Sequence, residues 1–168
     1  MTEKPSSEEL ARWQRRLASQ ANNHAWSLSE KANRTAAEDE EMLHAAHGAM
    51  YFWSIVGDPN TQAHAAQLLA HTYATLKQPS AAARYLGRSL PVFMAETAKP
   101  WERALAHAVA ANVASAGCNA EDHARHYSEA TQLTAALEDA EERAIIEATV
   151  RVLPVPAGWR AMSDRADP

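Results

Sequence analysis

Eight histidines in 168 residues, several of them three or four apart, are the first candidates for chemistry. His44 and His47 are three apart, so on a helix they share a face. Glu40 precedes His44 by four residues and Tyr51 follows His47 by four, which extends one stripe of Glu, His, His and Tyr. His64, Gln67 and His71 make a second stripe at spacings of three and four. If the stripes lie on antiparallel helices joined by a turn at Gly57-Asp58-Pro59-Asn60, His47 and His71 stand nearly level, ten residues before it and eleven after. His44, His47 and His71, with Glu40 or Glu41, can then converge on a divalent transition metal such as zinc, or carry protons near neutral pH. Zinc helices usually space their histidines at i, i+4 with a Glu between, and no acidic ligand is assured on the second helix. The same residues also read as a polar patch for a ligand or peptide, or as structural histidines. The acidic run from Glu38 to Glu41 suits a helix N-terminus, where negative charge is favourable.

Other constellations carry less. His123 and His126, flanked by Asp122 and Glu129, form a second pair at i, i+3 and read as an exposed helix start. Cys118 follows Gly117 in a turn, and a helix N-terminus lowers a thiol's pKa, but the sequence fixes no histidine beside it. There is no glycine-framed serine, phosphate loop, CxxC pair or dinucleotide fingerprint. No catalytic residue is therefore assigned. A lone cysteine cannot pair within the chain, and nothing reads as a secretory signal, so the expected compartment is the reducing cytoplasm.

The elements that must position these residues are helices. Glycines and prolines fall mostly at predicted ends, alanine is abundant, and no stretch alternates like a strand. Apolar spacing predicts helices over about 7–30, 36–56, 61–76, 81–96, 101–116 and 120–137, then one through Ile145, Ile146, Val150 and Leu153. Leu10, Trp13, Leu17, Ala21 and Ala25 make the expected inward stripe of the first. Thr35-Ala36-Ala37-Glu38 is a capping box that starts the second. Pro91 predicts a bend in the fourth, with Gly87 four residues before it to take up the crowding. Trp13, Trp26, Trp53 and Trp101 read as packing anchors. Short links force antiparallel neighbours, so the expectation is an all-α fold of about seven helices: three stacked hairpins with the seventh helix covering the last one. The domain spans 7–153, between a flexible N-terminus (1–6) and a flexible tail (154–168) in which Trp159 has the option of docking.

Leu69, Ala70 and Tyr73, followed by Ala82, Leu86, Ser89 and Leu90, resemble a tetratricopeptide repeat. That motif alternates large and small residues so that two helices approach closely. Ala110, Ala111 and Ala114, then His123, Tyr127 and Ala130, repeat it weakly at an offset of 41 residues, against ~34 in a regular array. The resemblance implies a helical groove lined by the first helix of each pair. The string from Glu40 to His47, leading into Tyr51-Phe52-Trp53, is similar to a motif of small uncharacterised bacterial helical proteins and implies no activity.

The charge balance narrows the partners. Sixteen basic and 21 acidic residues give a net charge of −5, which disfavours nucleic acid and a polybasic membrane anchor. No apolar run approaches the ~18 residues of a membrane span. The leading expectation is a non-enzymatic module that binds a protein or peptide in the groove, with His44, His47, Tyr51, His64, Gln67, His71 and His107 as candidate lining and no cofactor. Self-association through the first or last helix is a further option. The alternative is a small metal-dependent or acid–base enzyme on Glu40, His44, His47 and His71.

Overall fold

Five of the seven helices among the described residues begin where an N-cap side chain accepts from a free backbone amide. In the computed structural model, which describes residues 5–159, the elements are α1 (Ser7–Ser29), α2 (Ala36–Val56), α3 (Pro59–Thr75), α4 (Pro79–Phe93), α5 (Pro100–Ala116), α6 (Ala120–Ala135) and α7 (Ala140–Arg151). These seven helices, with no strand among the described residues, make the fold all-α. Ser6 with Glu9, and Thr35 with Glu38, close complete capping boxes. Asp58, Asn119 and Asp139 cap α3, α6 and α7 by accepting from backbone amides.

Three starts lie earlier than the sequence suggests, for one reason. Pro59, Pro79 and Pro100 occupy the first helical position, where a missing N–H costs nothing. Each was expected to belong to the preceding turn. Ser80, the expected cap of α4, lies within the helix, and Gln78 stands at the cap. Pro91 does not interrupt α4, which runs on to Phe93.

The helices form hairpins α1/α2, α3/α4 and α5/α6, and α7 packs on α5 and α6. The first helix of each hairpin also touches the next first helix, so α1, α3, α5 and α7 form a continuous row. Alanine allows this. Ala25, Ala46, Ala49, Ala70, Ala82, Ala104, Ala108, Ala111 and Ala130 are fully buried, and Met42, Leu68, Leu69, Phe93, Val109 and Ile146 fill the remaining space. On α1 the buried residues are Ala18, Ala25, Leu28 and Ser29. Leu10, Trp13 and Leu17, expected to point inward, are instead exposed, Trp13 to 57%.

The second and third hairpins share one plan. Pro59 and Pro100, Thr75 and Ala116, and Lys77 and Cys118 stand 41 residues apart at matching points of α3/α4 and α5/α6. Lys77 and Cys118 both adopt positive φ, 58° and 57°. Around each, two backbone bonds close the helix end: Gln78 N–H to Tyr73 O and Lys77 N–H to Ala74 O, matched by Asn119 N–H to Ala114 O and Cys118 N–H to Ser115 O. This is the Schellman arrangement, whose left-handed position favours glycine.

At the chain ends, residues 1–4 and 160–168 of the expected flexible segments lie outside the described residues. Ser6 belongs to the cap of α1. Residues 154–159 are docked: Pro156 is buried, and Trp159 meets Tyr127 of α6 edge-on at 5.0 Å. No helix of the described residues is long and apolar enough to cross a membrane.

The left-handed turn residues give a direct check. Cys118→Gly removes the Cβ penalty of that conformation and is expected to raise unfolding stability by about 1 kcal/mol, whereas Cys118→Ala gives no gain. Urea denaturation of both variants measures it.

Candidate functional site

The row of first helices presents one face to solvent, and that face holds a cavity of about 540 Å³. All four helices supply its walls. Trp26 comes from α1 and Glu30 from its C-cap, His64 from α3, Trp101 and Leu105 from α5, and Ile145 from α7. A space of this size and composition suits a small molecule or one or two side chains of a larger ligand.

Each tryptophan is held by an imidazole of α3. Trp101 stacks on His64 with ring centres 5.3 Å apart and an interplanar angle of 9°. His64 in turn rests on Phe93, and its Nε2 lies 3.0 Å from Glu102 Oε1. A carboxylate only accepts, so His64 Nε2 carries the donated proton. Glu102 also accepts from the Asn60 amide at 3.1 Å and the Lys99 backbone N–H at 2.9 Å. Burial alone would raise the Glu102 carboxyl. The bonds from Asn60, Lys99 and His64, with the His64 charge, together hold it below the usual carboxylate range.

Trp26 stacks on His71 at 5.3 Å and 25°. His71 is fully buried. Its Nδ1 lies 3.2 Å from the Asn112 amide nitrogen, which also donates to Thr75 Oγ1 at 3.1 Å. Nδ1 is therefore the accepting nitrogen and Nε2 bears the hydrogen, without a partner in the protein. Burial, helped by the Arg34 charge, pushes the imidazole down to about 4, so the ring is neutral at pH 7. Gln67, between the two histidines in sequence, is also buried, and neither end of its amide finds a partner.

The histidines expected to converge are divided among different faces. His47 turns to α3 and α4, where its Nε2 meets the Tyr73 hydroxyl at 2.7 Å and its ring lies edge-on to Tyr73 and Tyr85. Burial, then the Arg84 and His44 charges, lower its pKa. His71 turns to α1 and α5 instead. Side chains level on two helices meet only if both face the shared seam, and here they do not. His44, Glu40 and Tyr51 are exposed on α2, and Glu41 pairs with His24 of α1 at 2.8 Å. Among the described residues, no three His, Cys, Asp or Glu side chains are placed to hold a metal ion. The expected site on Glu40, His44, His47 and His71 is thus not assembled.

Of the expected lining, His64 faces the cavity, whereas Gln67 and His71 lie beneath it. His107 points the other way, toward α6, with its Nδ1 2.9 Å from His126 Nδ1. Both rings have lowered pKa values, chiefly from burial, and His126 reaches about 4. His123 is not part of an exposed helix start. It is buried, and its Nε2 meets the Pro154 carbonyl at 2.9 Å, which fixes the chain after α7. Sequence reading missed Trp26, Glu30, Trp101, Leu105 and Ile145 as lining.

This geometry defines an all-α protein of stacked hairpins with an aromatic-walled groove. No family model matches the chain, and comparison with curated proteins and solved structures found no match.

The burial of His71 sets a pH window. Its folded pKa lies below the unfolded value near 6.5, so the unfolded chain binds more protons and stability falls as pH drops from 6.5 toward 4. Between pH 7 and pH 5 the wild type is expected to lose about 2 kcal/mol more than His71→Asn. Urea titrations at both values check this, and equal losses would show that the imidazole is not held neutral.

Proposed function

We propose that this chain is a non-enzymatic, tetratricopeptide-like binding module of the cytoplasm whose groove takes a protein or peptide segment. The observation that carries the reading is the cavity across α1, α3, α5 and α7, walled by half-buried Trp26 and Trp101. Tryptophans in a concave, partly desolvated site are the residues that most often dominate binding energy. The likeness to tetratricopeptide hairpins is supported by the fully buried small residues Ala70, Ala82 and Ser89, which bring α3 and α4 together, and by Ala111 and Ala130 at the next hairpin. Support for a non-catalytic role comes from the histidines themselves. His47, His64, His71, His107, His123 and His126 are each engaged by a neighbouring protein group.

A separate observation favours self-association through α1. Leu10, Trp13 and Leu17 form an exposed apolar stripe. Ala21 lies against Gly48, so α2, ending at Val56, stops about level with Trp13, and the first residues of α1 reach past it. A second copy fits this stripe. Two antiparallel α1 helices centred on Trp13 place the acidic first turn of one, Glu8 and Glu9, within a turn of Arg15 and Arg16 of the other.

Peptide display against the whole chain tests the groove. Selected peptides are expected to bind in the micromolar range. Trp101→Ala, and Ile145→Ser at the exposed rim, should each weaken binding at least tenfold, about 1.4 kcal/mol, with helical circular dichroism unchanged. Binding indifferent to both would remove the groove from the function. For α1, light scattering over a concentration series should show a dimer that Trp13→Ser converts to monomer; a wild-type monomer throughout refutes the pairing.

A further inference from the structure

We infer that the groove selects a peptide carrying a lysine or arginine side chain, whose cation is received by the indoles of Trp26 and Trp101 and balanced by the carboxylate of Glu30. This rests on the reading of the groove as a peptide site and adds the chemistry that the site recognises.

The aromatic walls come first. Both indoles line one cavity, and each has an imidazole stacked on one face. The face of an indole is electron-rich and attracts a cation within about 6 Å, more strongly than any other side-chain ring. The imidazole beneath Trp26 is neutral at pH 7, so it adds no competing positive charge. The one beneath Trp101 is paired with the buried Glu102 carboxylate, whose negative charge offsets that of a protonated ring.

The carboxylate comes second. Among the described residues that line the cavity, Glu30 is the only acidic one, and none is a lysine or arginine. Burial raises the Glu30 carboxyl above the usual carboxylate range, against which only the Arg151 charge acts. Among the described residues no ion pair within 4.0 Å engages Glu30. A partly desolvated carboxylate without a close partner is costly, and a cation brought by the ligand removes that cost. Leu105 and Ile145 then offer apolar surface to the residues flanking the cation, as they do to the methylene stem of the side chain itself.

Two tripeptides distinguish charge from shape. Acetyl-leucyl-arginyl-leucinamide and its citrulline analogue have nearly the same outline, and only the first is charged. Each is titrated into the full-length chain while the indole N–H signals of Trp26 and Trp101, assigned with Trp→Phe variants, are followed by NMR. The arginine peptide is expected to bind at least tenfold more tightly than the citrulline peptide. In Glu30→Gln that ratio should fall below threefold. Equal binding of both peptides by the wild type, or a ratio that Glu30→Gln leaves unchanged, overturns the cation preference and leaves the peptide groove standing. Failure of both peptides to move either indole signal overturns both readings.

Discussion

Two imidazoles on one helix hold up the groove. His64 and His71 stand two turns apart on α3, and each carries a tryptophan from a different neighbour, Trp101 of α5 and Trp26 of α1. The rings have fixed positions because one nitrogen of each is committed elsewhere, to Glu102 and to Asn112. The central helix therefore sets the separation of the two walls. Such buried polar contacts add little net stability, since each replaces contacts with water, but breaking one leaves an unpaired group in the interior. The arrangement fixes geometry more than it strengthens the fold.

The architecture was largely legible in the chain. Helix type, number and pairing follow from apolar periodicity, abundant alanine and short links, and the capping box at Thr35 gave the start of α2 directly. The starts at Pro59, Pro79 and Pro100 were not read, because proline ends a helix and opens one with equal ease. Only the Asp preceding Pro59 offered a side-chain cap to choose between the two. The inward face of α1 was misread for a different reason. Leu10, Trp13 and Leu17 share a helical face with the right period, but periodicity identifies an apolar stripe without saying what covers it.

The site was less legible than the fold. Spacing along two helices correctly placed His44 with His47, and His64 with His71, on common faces. It gave no information on how each helix is rotated about its axis. That rotation sends His47 to Tyr73 and His71 to Trp26. Glu30 and Ile145 were invisible for the same reason, because they meet only when α1 and α7 join the row. His107 shows the converse: its residue type suggested a site, and its rotation pairs it with His126 on the far side.

The 41-residue recurrence sets how far the groove can reach. The three hairpins each contribute a first helix to the row and α7 adds the fourth, with neighbouring helix axes about 8–10 Å apart. Four such helices span roughly 24–30 Å from the first axis to the last, the length of about eight residues of extended chain. The groove's length thus changes in steps of one helix of the row, whether that helix opens a hairpin or stands alone like α7, and each step admits about three more residues of whatever lies across it.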